Sequence, residues 1–189
     1  MPAFIFPGQG SQRPGMGRPW VDHPSWELVA EASRNAGRDL TRLLLDADTE
    51  ELKAPRNAQI ATFLTSLLAL DAVERVGLSP SQCAGHSLGE YTALVETGAL
   101  GFDDGVAIVT ERGEAMQAAS DERPGTMAAV LGLDDDDADA ACRRADGDVW
   151  VANYNAPGQV VIAGAPDALE RAAAAARELG AKKVVPIPV

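Results

Sequence analysis

Gly85-His86-Ser87-Leu88-Gly89 matches the G-x-S-x-G pattern, in which a strand turns sharply into a helix and presents a serine as a nucleophile. The turn is so tight that a side chain at Gly85 or Gly89 would collide with neighbouring backbone, so both flanks must be glycine. Ser87 Oγ then sits at a helix N-terminus, where the Leu88 amide can stabilise an oxyanion. A second candidate for close backbone approach is Pro7-Gly8-Gln9-Gly10-Ser11-Gln12, which follows the apolar Phe4-Ile5-Phe6. Histidine chemistry is restricted to His23 and His86. Adjacent residues at a tight elbow project in different directions, so His86 is not expected to act as the base of Ser87. His23, in Asp22-His23-Pro24, reads as a surface or capping residue. Arg112, taken alone, reads as a helix-surface arginine paired with Glu111 or Glu114.

These residues need elements to hold them. Phe4–Phe6 reads as a short buried strand, and Gln82–His86 as another, weak in propensity because its residues are small or polar. A helix is expected over Ser25–Asn35, with Trp26, Val29 and Ala30 inward and Gly37 as its stop. Short helical turns follow at Leu40–Leu45 and Thr49–Ala54. Between about Ala58 and Val76 a long helix carries Ile60, Phe63, Leu64, Leu67, Leu68 and Leu70, and Gly77 ends it. Another helix opens after Ser87, and a further one covers Asp103–Ala119 with Val106, Ile108, Val109 and Met116 as core positions.

Pro124-Gly125 marks a break, after which the pattern changes. Strands are expected at Thr126–Leu131, Val149–Asn153, Gln159–Ala163 and Lys182–Ile187, with helices at Asp134–Ala145 and Pro166–Leu179. That β-α-β-β-α-β order is the ferredoxin-like unit. The expected organisation is therefore α/β, divided near Gly125 into residues 1–124 and 125–189. The acidic run Asp134–Asp137 is read as a helix N-terminus enriched in carboxylates.

With 189 residues and 46% hydrophobic content, the chain can bury a real core. Lys and Arg number 16 against 28 Asp and Glu, a net charge of −12, which opposes general binding to nucleic acid or anionic membrane. The longest apolar stretches fall short of the ~20 residues of a membrane span. The N-terminus lacks the basic flank and apolar length of a signal peptide, so a cytoplasmic protein is expected. Cys83 and Cys142 are too few for a disulfide framework or a cysteine-rich zinc site. No metal, flavin or nucleotide site is indicated.

Gly85-His86-Ser87-Leu88-Gly89-Glu90, together with Phe6-Pro7-Gly8-Gln9-Gly10-Ser11-Gln12, resembles malonyl-CoA:acyl-carrier-protein transacylases and the related acyltransferase domains of polyketide synthases. The likeness continues through Glu111-Arg112-Gly113 and Asn155-Ala156-Pro157-Gly158-Gln159-Val160-Val161-Ile162-Ala163-Gly164. It implies a large α/β-hydrolase-like subdomain, its C-terminal part absent here, with a ferredoxin-like subdomain inserted. It also implies that Ser87 takes a malonyl group from CoA as an ester and passes it to the phosphopantetheine thiol of an acyl carrier protein, in fatty-acid or polyketide synthesis. Backbone amides of Gln9 and Leu88 would form the oxyanion hole, Arg112 would grip the malonyl carboxylate, and His86 would support the elbow with Gly85 and Gly89. Gln59 and Asn155 match residues near the substrate. CoA enters only as a thioester substrate, and phosphopantetheine belongs to the carrier.

The family's catalytic histidine lies beyond a segment resembling Val184-Val185-Pro186-Ile187-Pro188-Val189. The expectation is an N-terminal portion of a transacylase, nearly inactive unless a complementing C-terminal segment supplies the histidine, with the apolar Ala58–Val76 helix left uncovered. Met1 directly before the first strand suggests a discrete protein. Docking of an acidic carrier would need a local basic patch, for which Arg177, Lys182 and Lys183 are candidates. Two other functions are compatible with parts of the sequence. One is a Ser–Asp hydrolase using Asp104-Gly105 or Asp146-Gly147, and the other is an inactive module that binds acyl-CoA or a carrier protein.

Overall fold

The computed structural model describes residues 2–187; Met1, Pro188 and Val189, including the end of the Val184–Val189 segment, lie outside the described residues. The protein is a mixed α/β chain of two compact units, residues 1–118 and 119–189.

In the first unit β1 (Ala3–Phe6) pairs in parallel with β2 (Gln82–Gly85), with Phe6 opposite Gly85. Parallel neighbours require a long crossover. Here it contains α1 (Glu27–Ala36), α2 (Leu40–Asp46), α3 (Thr49–Lys53) and α4 (Pro55–Arg75). Local chemistry sets their ends. Gly37 takes the left-handed conformation that closes α1, and the carboxylates of Asp39 and Asp48 accept from the Arg42 and Glu51 amides to open α2 and α3. Pro55 stands in the first turn of α4, where a missing N–H costs nothing. That start precedes the expected Ala58 by a turn, because Pro55 and Arg56 fit a helix opening and carry no apolar signal. After β2 come α5 (Gly89–Glu96) and α6 (Phe102–Glu122).

The core of this unit is built on α4, whose Ile60, Phe63, Leu64, Leu67 and Leu68 pack with Val29, Leu40, Leu43, Leu44, Leu52, Leu88, Val106 and Val109. Each such side chain contributes about 1.5–3 kcal/mol of burial. Three apolar assignments are corrected. Ala32, not Ala30, is the buried alanine of α1, and Ile108 is 42% exposed on α6, where Val106 and Val109 face the core and Met116 is half-buried. Of the helix expected to lie uncovered, Ile60, Phe63, Leu64, Leu67 and Leu68 are buried, whereas Ala69, Leu70 and Val73 border a cavity of about 600 Å³ and Val76 is 73% accessible. On β1, Ile5 is 79% accessible and borders the same cavity together with Phe4, Phe6, Met16 and Trp20.

The second unit contains β3 (Thr126–Leu131), α7 (Asp135–Arg144), β4 (Val149–Ala156), β5 (Gln159–Gly164), α8 (Pro166–Glu178) and β6 (Lys183–Ile187). Its antiparallel sheet has the order β4-β5-β3-β6. Val130, Val160 and Ile162 pack with the alanines of α7 and α8, small side chains that let the helices lie close to the sheet. Asp134 caps α7 by accepting from the Asp137 amide. β4 runs three residues beyond the expected Asn153, accommodated by irregularities between Val151 and Asn153 and between Tyr154 and Ala156, so Asn155 belongs to the strand end and not to the loop. The units divide at Ala118, inside the continuous helix α6, whereas the break in the sequence pattern falls at Gly125. Among the described residues no helix is long and apolar enough to cross a membrane.

Asp71 on α4 makes a testable contribution to the first unit. Burial opposes its ionisation, but hydrogen bonds from Ser25 and Arg75 and the charge of Arg75 outweigh it, holding the carboxyl below the ordinary range. A depressed folded pKa gives stability that is present above the unfolded value near ~4 and is lost as pH falls through the folded value. Asp71→Asn should therefore cost about 1–2 kcal/mol at pH 7. Thermal melts from pH 7 to 2.5 should show the gap between parent and variant closing in acid; a pH-independent gap would assign the loss to packing.

Candidate active site

The site begins with how closely two strand ends approach. Phe6 lies opposite Gly85, so the loop after β1 and the turn after β2 leave the sheet side by side. The His86 amide donates to the Phe6 carbonyl at 3.0 Å, and the Gly89 amide donates to the His86 carbonyl at 3.0 Å. A Cβ on Gly85 would stand 2.0 Å from the Gly89 carbonyl carbon, and one on Gly89 would stand 2.1 Å from the Phe6 oxygen. A Cβ on Gly8 would meet the His86 carbonyl oxygen at 2.6 Å and its Nδ1 at 2.9 Å. No side chain fits at any of the three. Ser87 itself has φ 53°, a left-handed conformation uncommon outside glycine, which projects it out of the turn. Leu88 is buried behind it and caps α5, whose first amides, those of Gly89, Glu90 and Tyr91, donate to the carbonyls of His86, Ser87 and Leu88.

Arg112 on α6 reaches this turn, its Nη2 donating to Ser87 Oγ at 2.9 Å. Its Nη1 donates to Gln59 Oε1, and its guanidinium lies over the Tyr91 ring, 5.7 Å from the centroid. Gln59 Nε2 in turn donates to Gln9 Oε1 at 2.8 Å. The acids expected to pair with Arg112 do not: Glu111 is exposed, and Glu114 faces Arg38 and Arg56 at 3.8 and 3.6 Å. Among the described residues no ion pair involves Arg112, so a half-buried cation sits beside the serine with neutral acceptors and a π face as partners. A guanidinium so placed keeps its charge and has the planar geometry that a carboxylate can bind bidentately.

Ser87, Leu88, Gln9, Gln59 and Arg112 are thus brought together, while Asn155 is exposed at the end of β4 in the second unit. Tyr91 was not singled out from sequence. Its position one helical turn after Ser87 is the signal that could have found it. His23 caps the short 3-10 turn Pro24–Trp26, its Nδ1 accepting from the Ser25 amide. The acids of the Ser–Asp alternative have structural roles. Asp104 is exposed in the first turn of α6, and Asp146 forms a left-handed turn whose carbonyl accepts from Arg171.

A half-buried serine on a strained strand-to-helix turn, with a guanidinium at hydrogen-bond distance, is the feature around which the site is organised. In comparison with known proteins, residues 3–189 match the acyl transferase domain, and the chain belongs to that family. It is 46% identical over 99% of its length to the malonyl CoA-acyl carrier protein transacylase of Escherichia coli K12, and 41% identical to that of Bacillus subtilis 168. It covers 62% and 61% of those relatives, so the chain spans about three fifths of their length. Among solved structures, the acyl-carrier-protein S-malonyltransferase of Burkholderia pseudomallei 1710b superposes with TM-score 0.89 at 44% identity, covering 100% of this chain and 63% of that one. A malonyl-transacylase in complex with its type II polyketide synthase acyl-carrier protein gives 0.91 at 40% identity, covering 99% and 62%.

The elbow's packing predicts a sharp difference between glycines. Gly89→Ala should destabilise the chain by about 3 kcal/mol or more, because the clash is with backbone that cannot yield. Gly101→Ala, whose nearest neighbour is an Asp104 oxygen at 3.6 Å, should be nearly silent. Urea unfolding of both variants checks this, and equal losses would contradict the close approach.

Proposed function

We propose that this chain transfers a malonyl or related dicarboxylic acyl group from CoA to the phosphopantetheine thiol of an acyl carrier protein, in fatty-acid or polyketide synthesis. The observation that carries the reading is Arg112, without a carboxylate partner among the described residues, at 2.9 Å from Ser87 Oγ. Ser87 Oγ bonds to the thioester carbonyl carbon, the C–S bond breaks, and CoA leaves as its thiol with the serine proton. In the second half the carrier thiol attacks the seryl ester, and Oγ recovers its proton. Amides of Gln9 and Leu88 hold the carbonyl oxygen while it bears charge, each donor worth about 3–4 kcal/mol in the transition state. Arg112 exchanges its bond to Ser87 for a bidentate contact with the distal carboxylate. His86, pinned through its backbone to Phe6 and Gly89, supports the elbow with Gly85 and Gly89.

The first unit is read as α/β-hydrolase-like. The second is read as a ferredoxin-like subdomain, supported by its βαββαβ order and by the strand order β4-β5-β3-β6. Asn155 is assigned to the CoA arm, and the exposed Arg177, Lys182 and Lys183 to docking of the acidic carrier. An inactive binding module is disfavoured, since it has no need of a strained serine held by an arginine.

Incubation with malonyl-CoA and a complementing C-terminal segment that carries the histidine, followed by intact-mass measurement, should show one malonyl group on the parent and none on Ser87→Ala, whereas the parent alone should load little. Arg112→Ala should weaken malonyl-CoA binding about 10- to 100-fold while leaving acetyl-CoA binding within a few-fold, as expected for loss of a charge-assisted contact. An adduct that survives Ser87→Ala would remove the nucleophile assignment.

A further inference from the structure

We propose that Gln59 is a positioning residue that orients both the carboxylate receptor and the oxyanion loop, so that α4 sets the acyl length the site accepts. The proposal rests on the reading of Arg112 as that receptor, and it replaces direct contact between Gln59 and substrate.

Gln59 is 1% exposed, and both ends of its amide are committed within the protein. Arginine can only donate, so Gln59 Oε1 must face Arg112 and the NH₂ must face Gln9. Gln9 Oε1 is then obliged to accept. One amide thereby turns the fixed polarity of a guanidinium into a fixed orientation of the Gln9 side chain, in the loop whose backbone is assigned to the oxyanion. The two ends of a malonyl group, carboxylate and thioester carbonyl, would be held by groups that meet at a single buried side chain.

The surrounding seam is built to keep that side chain in place. Gly113, next to Arg112, lets α6 approach α4: a Cβ there would stand 3.0 Å from Arg56 Cα and 3.5 Å from Gln59 Cβ. Glu114 faces Arg38 and Arg56 across the same seam. Arg38 also donates to the Arg56 carbonyl at 3.1 Å and to Asn57 Oδ1, which fixes the turn of α4 that carries Gln59. A polar group buried with both partners satisfied is costly to disturb, because either partner is left unpaired.

The test compares Gln59→Leu, which removes both bonds, with the near-isosteric Gln59→Glu, which keeps the acceptor for Arg112 and loses the donor to Gln9. Calorimetry on the full chain, in a Ser87→Ala background so that no acyl transfer intervenes, gives affinities for malonyl-CoA and for succinyl-CoA, one methylene longer. The parent preference for malonyl-CoA should fall about tenfold or more in Gln59→Leu, the range one methylene commands in a shaped pocket. Equal weakening of both ligands, with the preference intact, would make Gln59 a stability residue only and overturn the proposal.

A ligand-free readout separates this proposal from the reading beneath it. In nitrogen-15 spectra, Gln59→Glu should shift the Gln9 amide resonances while leaving the Arg112 Nε resonance near its parent position, and Gln59→Leu should shift both. If Arg112→Ala leaves malonyl-CoA affinity unchanged, the receptor role of Arg112 and with it the length-setting role of Gln59 fall; if the parent does not prefer malonyl-CoA to succinyl-CoA, the length-setting role falls alone. The orienting role still stands or falls on those shifts. Gln9 resonances unmoved in both variants would overturn it, and should Gln59→Leu fail to fold, Gln59→Glu alone decides.

Discussion

Everything in the first unit is subordinate to the approach of two backbone turns at the end of a two-stranded parallel sheet. Phe6 and Gly85 share a register position, and beyond them three glycines, Gly8, Gly85 and Gly89, bring the chain to distances that no Cβ would tolerate. The return is geometric. A loop that begins at residue 7 and a turn that begins at residue 86 become neighbours, so segments remote in the sequence meet beside one serine. The long crossover between them is required by the parallel pairing, and the apolar body of α4 occupies it. Helix α6 completes the arrangement by carrying a cation to the same point.

The charge distribution follows from that architecture. The chain as a whole is strongly acidic, at −12, yet the residue beside Ser87 is an arginine without a carboxylate partner among the described residues. The nearest candidate to neutralise it, Glu114, is drawn away by Arg38 and Arg56 on the α4 side of the seam. A half-buried guanidinium with only neutral acceptors retains much of its attraction for an anion, because desolvation has been met in part by Gln59 and the Tyr91 face without cancelling the charge. A local field opposite to the net charge is thus created by diverting one glutamate.

How much of this was legible in the sequence varied with the kind of signal. The elbow could be read from five residues because its steric demand is absolute: nothing but glycine fits at Gly85 and Gly89. Strand β2 was legible only through its position before the elbow, since Gln82-Cys83-Ala84 has little strand propensity and its conformation comes from pairing with β1. Side-chain direction was harder. Periodicity places Ile108 with Val106 and Val109 on α6, but a helix buries a limited arc, and Ile108 falls outside it. The partners of Arg112 could not be read at all. Sequence proximity favoured Glu111 and Glu114, whereas the actual contacts, Gln59 and Ser87, lie 53 and 25 residues away. Gln59 was recognisable as a candidate; its burial and its bonds to Gln9 and Arg112 depend on the packing of α6 on α4.

The left-handed backbone at Ser87 places function and thermostability in opposition at a single position. A φ of 53° is where glycine or asparagine would sit with less strain. With Ser87 as the proposed nucleophile, the fold gains from losing it, and only a continued need for its hydroxyl keeps serine there. Lineages that retain this domain as a scaffold after abandoning acyl transfer should drift at this residue first, toward glycine, with the flanking glycines unchanged because their constraint is steric and not chemical.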